Sequence, residues 1–407
     1  MKKITNVLKN IHFKEDFSYL LNNYSKNIND FIFFDIETTG FSYKNSMCYL
    51  IGAAYLSDIA SKNKSTITND IFCENDINNI SLENKDNSCD NSQWLYTQWF
   101  ATSPNEEADI LKDFLAFISN YKYIISFNGE RFDIPFINGR CYILNINSPL
   151  KDLINNSIDI FRIIQPLKAL LRLENYKQKS IEEFLKIHRT DKYSGGELIK
   201  YYKNYVLSKD NTLLELLLLH NHDDIEGLIN ISPILNYLNI INHNYDLLDT
   251  KISDYIDYHG NLSYEVIFTL TLPCKLITPI NYIKEPFLIN IQDNTITIKA
   301  PIFSGNLKYF YPNYKDYYYI PSEDQAMHKS VASFIDKNYR QPAKASNCYI
   351  YKNGSFLMQY NNIISPSFKE NYSDTHSFFE TNSEFINSPN KILEYIKDIL
   401  NNILTVK

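Results

Sequence analysis

The sequence lacks the features that mark zinc ribbons, disulfide-stapled folds and strongly basic nucleic-acid binders. No CxxC pair occurs among its six cysteines, which favours a reducing compartment over a zinc ribbon or a disulfide framework. The net charge of −7 argues against nonspecific attraction of nucleic acid to the whole surface, because that mode needs many cations facing the phosphates. A local basic groove is compatible with this charge.

The sequence also lacks a long apolar run. The most apolar segment, Leu213–Leu219, includes Glu215 and is too short to span a bilayer. The N-terminal residues MKKITNVLKN are basic, but no apolar stretch of the kind found in signal peptides follows them. We therefore expect a cytoplasmic protein with no membrane contact; its oligomeric state is open.

The chain is long enough for two domains. It has 407 residues, more than one compact domain usually holds. Hydrophobic residues make up 44% and charged residues 21%, a balance typical of a globular protein rather than a disordered one. A change in sequence texture near residue 244 predicts one domain over 1–243 and a second, accessory domain of unknown role over 244–407.

The first domain is predicted to be α/β. Runs of β-branched and aromatic residues predict its strands, which are Phe31–Glu37, Cys48–Leu56, Gln93–Phe100, Tyr123–Phe127 and Ser157–Ile160. Helical spacing predicts a helix from Phe136 to Leu144 and mostly helical structure over 165–237. The polar stretch of about 57–92 is interpreted as a long, mobile insertion. Together these features predict a mixed five-stranded sheet with helices on its faces.

The second domain is predicted to be strand-rich and of α+β class. Alternating residues from Ile289 to Ile298 surround an Asp-Asn pair, which predicts a turn between two strands. Helices are predicted near Ser322–Ile335 and Asn390–Ile403.

Two acidic residues end the first predicted strand. Side chains alternate along a strand, so Asp35 and Glu37 share one face, about 6–7 Å apart. Two carboxylates at the end of an apolar strand repel each other and lose hydration, which a divalent cation would offset. Hard oxygen ligands suit Mg²⁺ or Mn²⁺. The alternative interpretation is an Asp that caps the following turn and a solvated Glu.

Two further segments carry candidate polar residues. The run Asn128-Gly-Glu-Arg-Phe132-Asp133 follows a predicted strand, and its alternative interpretation is a turn with a helix-capping Asp. His220 and Asp224 lie one helical turn apart and share a face, which favours Asp224 over Asp223 as a ligand. The alternative interpretation of this pair is a solvated turn of a surface helix.

These three segments, in this order, resemble the motifs of the DEDD superfamily of 3′-5′ exonucleases. Asp35-Ile-Glu37 is similar to the first motif, Asn128 with Phe132-Asp133 to the second, and His220-xxx-Asp224 to the third. More closely, Phe31 to Tyr237 resembles the YprB-type ribonuclease-H-like domain. That resemblance includes Gln98-Trp-Phe, Ser157-Ile-Asp-Ile160 and His220-Asn-x-x-Asp, and it covers roughly half of the chain.

The resemblance implies a ribonuclease-H-like fold and a metal-dependent 3′-5′ exonuclease. Its substrate would be the 3′ end of single-stranded DNA or RNA, and its products nucleoside 5′-monophosphates. Two divalent cations, Mg²⁺ or Mn²⁺, would activate water and grip the scissile phosphate. The implied ligands are Asp35, Glu37, Asp133 and Asp224.

The resemblance also implies roles around the cations. Asp35 would bridge both ions, Glu37 and Asp224 would hold the water-binding ion, and Asp133 would hold the other. The terminal nucleotide would be held by Thr38, Thr39, Asn128 and Phe132. His220 stands where better-known subclasses have Tyr; it could act as general base or only hydrogen-bond a phosphate or carboxylate.

Two other functions fit the same motifs. One is a catalytically weak scaffold that binds nucleic acid, against which four clustered carboxylates argue because they would repel phosphates in the absence of metal. The other is an endonuclease on the same fold, which the motifs alone do not exclude.

Overall fold

The computed structural model describes residues 1–9, 11, 17–58, 92–150, 154–187, 195–257 and 259–404. Most of the insertion predicted over about 57–92, residues 59–91, lies outside this described part. The chain divides into two compact units: an N-terminal unit of Met1–Gln165 and Glu174–Leu235, and a C-terminal unit of Pro166–Leu173 and Asn236–Lys407. Across the described ranges, no helix is both long enough and apolar enough to cross a membrane.

Fourteen strands and twelve α-helices are described. The strands are β1 Lys2–Val7, β2 Phe31–Thr38, β3 Cys48–Asp58, β4 Ser92–Phe100, β5 Tyr123–Ser126, β6 Ser157–Asp159, β7 Asp246–Ile256, β8 Leu262–Lys284, β9 Phe287–Phe310, β10 Tyr317–Ile320, β11 Gln325–His328, β12 Gln341–Pro342, β13 Tyr349–Gln359 and β14 Ser377–Glu380. The helices are α1 Ser18–Asn23, α2 Glu107–Ile118, α3 Asp133–Ile143, α4 Ile160–Ile163, α5 Lys168–Leu171, α6 Gln178–Phe184, α7 Gly195–Ser208, α8 Asn211–Asn230, α9 Leu238–Ile241, α10 Lys329–Ala332, α11 Ser383–Ile386 and α12 Pro389–Leu404.

The sheet of the N-terminal unit is mixed. Its strand order is β1-β4-β3-β2-β5-β6. The first four strands in this order pair antiparallel, whereas β5 and β6 run parallel to β2. This confirms the ribonuclease-H-like class, with one strand more than predicted, because Lys2–Val7 adds to the free edge of β4.

Strand β2 is buried on both faces of this sheet. Phe31–Phe34 are 0% exposed. On one face Phe34 packs with Phe114 of α2, at 5.8 Å between ring centroids. On the other face Phe33 packs with Trp94 of β4, at 5.6 Å between ring centroids, and helix α8 contacts β2. Because helices cover both faces of the sheet, the sequence of β2 is a continuous apolar run rather than an alternation of apolar and polar residues.

The C-terminal unit is strand-rich, as predicted. Its larger sheet has five strands in the order β14-β13-β9-β8-β7, and its smaller sheet has three in the order β11-β10-β12. Helix α12 covers part of the larger sheet through Tyr395, which is 0% exposed and meets the ring of Phe268 edge-on. The helix predicted near Asn390–Ile403 is therefore confirmed as α12.

The turn predicted within Ile289–Ile298 is wrong. Strand β9 runs without a break through this segment, and the chain instead turns between β8 and β9, at Glu285 and Pro286. Asp293 has a φ of +52° in a stretch where the pairing of β8 with β9 is irregular. Asp tolerates the left-handed region well, so the residue forms a local irregularity inside a long strand.

The helix predicted near Ser322–Ile335 is also wrong in most of its length. The segment forms a hairpin of β10 and β11, followed by the short helix α10. Asp324 has a φ of +48°, which does not fit a right-handed helix. Its carboxylate accepts hydrogen bonds from the hydroxyls of Tyr319 and Tyr349. Tyr319 belongs to the hairpin itself, whereas Tyr349 comes from β13, and together they stabilise the turn.

Candidate metal centre

Strand β2 presents Asp35 and Glu37 where it leaves the core. Phe31–Phe34 precede them inside the sheet, and the pairing with β3 shifts register just after Glu37, before Thr38. Both acids project from the same face of the strand. Asp35 stands opposite Gly52 of β3. Both acids are partly exposed, so ligands from solvent can reach them.

Helix α8 brings His220 and Asp224 to the same place. The Nε2 atom of His220 lies 3.1 Å from Oδ2 of Asp224 and 3.6 Å from Oε1 of Glu37. One ligand atom from each of these three side chains lies within 4.8 Å of the others. Asp223 instead contacts His222, at 3.1 Å. The one-turn spacing of His220 and Asp224 thus places both against the end of β2.

Asp133 reaches the end of β2 from the first turn of α3. Its carboxylate accepts hydrogen bonds from its own backbone amide and from that of Ile36, the residue between Asp35 and Glu37. Asp133 is 5% exposed. Burial raises the pKa of its carboxyl to about 7, and the negative charge of Asp159 adds to the rise. A cation at this position would lower that pKa again.

The loop before α3 is held by a buried carboxylate. Asp159 is 1% exposed and accepts hydrogen bonds from the backbone amides of Asn128, at 2.8 Å, and Glu130, at 3.3 Å. Asn128 has a φ of +64°, which Asn tolerates better than most residues. Ser157–Ile160 forms part of the resemblance, but the sequence alone assigned no role to Asp159. An acid ending a short strand beside this loop was the available signal.

Thr38 and Thr39 form the turn that follows β2. The hydroxyl of Thr38 donates a hydrogen bond to the carbonyl of Gly40, at 2.9 Å. Thr39 donates its amide to the carbonyl of Met47 and accepts the amide of Met47 on its hydroxyl, at 2.9 and 3.0 Å. These contacts fix the backbone that carries Asp35 and Glu37.

Two aromatic rings lie near this turn. The ring of Phe132, just before α3, is 5.6 Å from that of Phe136 and 6.2 Å from that of Phe41, between centroids. Phe41 is 90% exposed. Phe132 was a candidate from the sequence, whereas Phe41, which directly follows the glycine of the first motif, was overlooked. The apolar surface of Phe41 faces water, where it gains nothing from burial.

Of the predicted metal ligands and the predicted catalytic residue His220, three side chains converge and two others lie beside them. Among the described residues, Glu37, His220 and Asp224 converge closely enough to bind one ion. Asp35 adjoins them through Nδ2 of Asn221, 3.4 Å from its Oδ2, and Asp133 adjoins them through the Ile36 amide. Clustered acids with reduced hydration are stabilised by cations. Carboxylate oxygens suit Mg²⁺ or Mn²⁺, so the carboxylates of this cluster fit divalent cations.

Comparison with protein families gives one match. A family model described as RNase_H superfamily matches residues 80–236, less than half of the chain. Asp133, His220 and Asp224 lie inside the matched range, whereas Asp35 and Glu37 precede it. No match was found among curated proteins.

Comparison with solved structures gives distant likenesses. A structure of exonuclease I is 14% identical, with a TM-score of 0.28, over 60% of this chain and 55% of that one. The family B DNA polymerase of the archaeon Pyrobaculum calidifontis is 9% identical, with a TM-score of 0.35, over 92% of this chain and 46% of that one. The zinc-bound complex of E. coli exonuclease I with single-stranded DNA is 13% identical, with a TM-score of 0.28, over 61% and 55%. This chain spans about half the length of these structures.

Proposed function

We propose that the chain is a metal-dependent 3′-5′ exonuclease that hydrolyses single-stranded nucleic acid and releases nucleoside 5′-monophosphates. The observation that carries the proposal is the approach of Glu37 on β2 to His220 and Asp224 on α8. Asp35 and Asp133 lie beside them on a ribonuclease-H-like sheet. The family match over 80–236 supports a nuclease, and the order of the three motifs supports the exonuclease class.

Four carboxylates would hold two divalent cations, Mg²⁺ or Mn²⁺. When bound, paired cations supply an activated water and stabilise the charge on the scissile phosphate and the leaving oxygen. Asp35 would be shared by both ions, Glu37 and Asp224 would hold the water-binding ion, and Asp133 the other. Asp133 must lose its proton before it can coordinate, and its raised pKa makes that loss dependent on pH near neutrality.

We assign His220 the role of general base. Its Nε2 atom lies beside both carboxylates proposed for the water-binding ion, which places it within reach of a proton on the attacking water. His220→Gln should lower kcat by about 10²–10⁴-fold, the usual contribution of a positioned base, with the melting temperature little changed. A variant that keeps most of its kcat would show that His220 only positions the carboxylates.

The terminal nucleotide would lie between the turn after β2 and the loop before α3. Asn128 and Phe132 border one side and are proposed to contact it by hydrogen bonding and stacking. Thr38 and Thr39 border the other. Because the amide and hydroxyl of Thr39 are engaged with Met47, its contribution would be to shape the turn.

Labelled substrates test the proposed activity. Purified chain is incubated with Mg²⁺ or Mn²⁺ and single-stranded DNA or RNA carrying a 5′ or a 3′ label. A 3′-5′ exonuclease shortens the 5′-labelled strand stepwise and releases the 3′ label at once as a mononucleotide. Circular single strands should resist it, whereas an endonuclease cuts them. A nucleic-acid-binding scaffold would retain the strands without shortening them.

Matched variants connect that activity with the site. Asp35→Ala should abolish cleavage, because the shared ligand of both ions is lost. Glu215→Ala removes an exposed acid from α8 and should leave cleavage unchanged. Wild-type cleavage by the Asp35→Ala variant would contradict the proposal.

A further inference from the structure

Three strands of the N-terminal sheet place Asp35, Gly52 and Gln98 side by side. Asp35 of β2 pairs with Gly52 of β3, and Gly52 pairs with Gln98 of β4. Residues directly opposite each other in antiparallel strands point to the same face of the sheet. The middle position has no side chain, which leaves room above the sheet between an acid and an amide.

Asn221 of α8 occupies that room. It is 0% exposed, and Gln98 is 2% exposed. Gln98 donates one hydrogen bond from Nε2 to Oδ1 of Asn221, at 3.0 Å, and another to the backbone carbonyl of Leu218 in α8, at 2.8 Å. Asn221 in turn donates from Nδ2 to Oδ2 of Asp35, at 3.4 Å. A chain of amides therefore runs from the helix backbone to Asp35.

The chemistry of these side chains determines which of them donates each hydrogen bond and which accepts it. An ionised carboxylate only accepts hydrogen bonds, so Asn221 must turn its amino group toward Asp35 and its oxygen toward Gln98. Gln98 must then donate, as it also does to the carbonyl of Leu218. Each group fixes the orientation of the next one.

Gly52 is required by this close approach. A Cβ atom built on Gly52 would lie 2.2 Å from Oδ1 and 2.9 Å from Cγ of Asn221. Side chains in a packed interior do not tolerate such distances, and Asn221 is enclosed on all sides. Any larger residue at position 52 would push Asn221 away from Asp35.

We propose that Gln98 and Asn221 are positioning residues that hold Asp35 in the orientation that binds the cations, and that Gly52 provides the space they need. This inference rests on the proposed metal-dependent function. The amide of Asn221 is neutral, so it orients the carboxylate without cancelling the charge that attracts the cations. A Lys or Arg in its place would compete with them.

Substituting Asn221 should therefore weaken metal binding in folded protein. Hydrogen-bond partners behind metal ligands typically contribute about 10–100-fold to metal affinity. We expect a loss of that size for Asn221→Ala and for Gly52→Ala, since the added methyl displaces the same amide. Gln98→Met, which keeps the length of the side chain but donates no hydrogen bond, should weaken binding in the same direction.

The experiment is a calorimetric titration of the full chain with Mn²⁺, without nucleic acid. Each variant is also unfolded thermally in chelator, which reports folding separately from metal binding. In the Asn221→Ala/Gly52→Ala double variant the methyl at position 52 enters space that the truncated side chain has vacated. Its Mn²⁺ affinity should equal that of Asn221→Ala alone, because both changes break the same link.

A matched control separates positioning from general packing. Leu214 is 5% exposed on the same helix and packs in the core cluster that includes Tyr49 and Phe100. Leu214→Ala should lower the melting temperature in chelator and leave the Mn²⁺ affinity unchanged. Asn221→Ala should lower the Mn²⁺ affinity by more than its change in melting temperature can account for.

The possible outcomes have distinct meanings. A wild-type chain that binds Mn²⁺ no more tightly than its Asn221→Ala variant overturns this inference and leaves the proposed function standing. Losses for Asn221→Ala and Gly52→Ala that simply add in the double variant also overturn it. A wild-type chain that binds no Mn²⁺ overturns the proposed function and this inference together.

Discussion

Burial dominates the chemistry of the Asp133 carboxyl group. Loss of hydration raises its pKa to about 7 despite two hydrogen bonds from backbone amides, which lower the pKa. The group is therefore poised between its protonated and charged forms near neutral pH. In the absence of metal, the charged form of the Asp133 carboxyl group destabilises the folded chain. Bound cations would remove this destabilisation.

The Asp133→Asn variant should show how much the charged carboxylate destabilises the folded chain. An unfolded Asp has a pKa of about 3.9, so between about pH 4 and pH 7 the folded chain binds a proton that the unfolded chain has released. The stability that this group contributes is present below about pH 4 and is lost as the pH rises through about 7. In chelator at pH 8, Asp133→Asn should be more stable than the wild type, and the difference should shrink toward pH 4.

Thermal unfolding of both proteins from pH 4 to pH 8 measures that difference. The same substitution should abolish the proposed nuclease activity, because an amide is a poor metal ligand. Equal melting temperatures at pH 8 would contradict a destabilising charge on the buried Asp133 carboxylate.

Substitution of Phe41 tests how the site contacts its proposed nucleic-acid substrate. Its ring is 90% exposed and lies near Phe132, so we expect it to stack on a base of the bound strand. Base stacking on an aromatic side chain contributes about 1–3 kcal/mol. Phe41→Ala should raise KM by about tenfold or more, with little effect on kcat or on melting temperature. Steady-state kinetics on a short oligonucleotide would measure both constants, and an unchanged KM would refute the role.

At the scale of elements, a buried ion pair joins α2, α3 and β3. Glu107 of α2 accepts two hydrogen bonds from Arg140 of α3, at 2.8 and 2.6 Å, and one from the backbone amide of Cys48. The two side chains are 4% and 12% exposed. This link fixes α3, which carries Asp133, against the strand that pairs with β2.

Arg140→Ala should destabilise the chain strongly, because it leaves Glu107 buried without its cation. Breaking a buried pair in this way typically costs about 3–5 kcal/mol. Urea denaturation would measure the loss. Arg140→Lys keeps the charge but not the paired geometry, so its loss should be intermediate. A loss for Arg140→Ala below about 1 kcal/mol would mean that the pair contributes little to the position of α3.

Local patterns in the sequence predicted the elements that carry the site. The buried run before Asp35 predicts β2, because helices on both faces exclude water from it. Elements whose conformation depends on distant partners were not predicted. The N-terminal strand is basic rather than apolar and forms because β4 offers a free edge. The turn at Asp324 depends on Tyr349 and Tyr351 of β13, a strand outside the hairpin.

The same distinction applies to the candidate site. Strand alternation and helical spacing are local rules, and they predicted that Asp35 and Glu37 share a face and that His220 lies beside Asp224. The link from Gln98 through Asn221 joins residues more than a hundred positions apart, which no local rule predicts. Asp159 was overlooked for the same reason, since its partners belong to another loop.

At the scale of the whole molecule, the candidate ligands all belong to the N-terminal unit. The C-terminal unit has its own sheets and its own helix α12, one face of which is buried. Metal binding should therefore stabilise the two units unequally.

Hydrogen exchange with and without Mn²⁺ would show this difference. At a free Mn²⁺ concentration one hundred times its Kd, the free energy of unfolding of the N-terminal unit should rise by about 2.7 kcal/mol. Amides of β2 and α8 should gain protection, whereas those of β8 and β9 should not. The Asp35→Ala variant should gain none. Equal gains in both units would contradict a metal site confined to the N-terminal unit.

Anomalous diffraction from a crystal soaked in Mn²⁺ tests the proposed two-metal site most directly. We expect two peaks about 3.5–4 Å apart, the usual spacing in two-metal sites, enclosed by Asp35, Glu37, Asp133 and Asp224. The absence of peaks among these four residues, in a crystal of protein that still cleaves nucleic acid, would contradict the site.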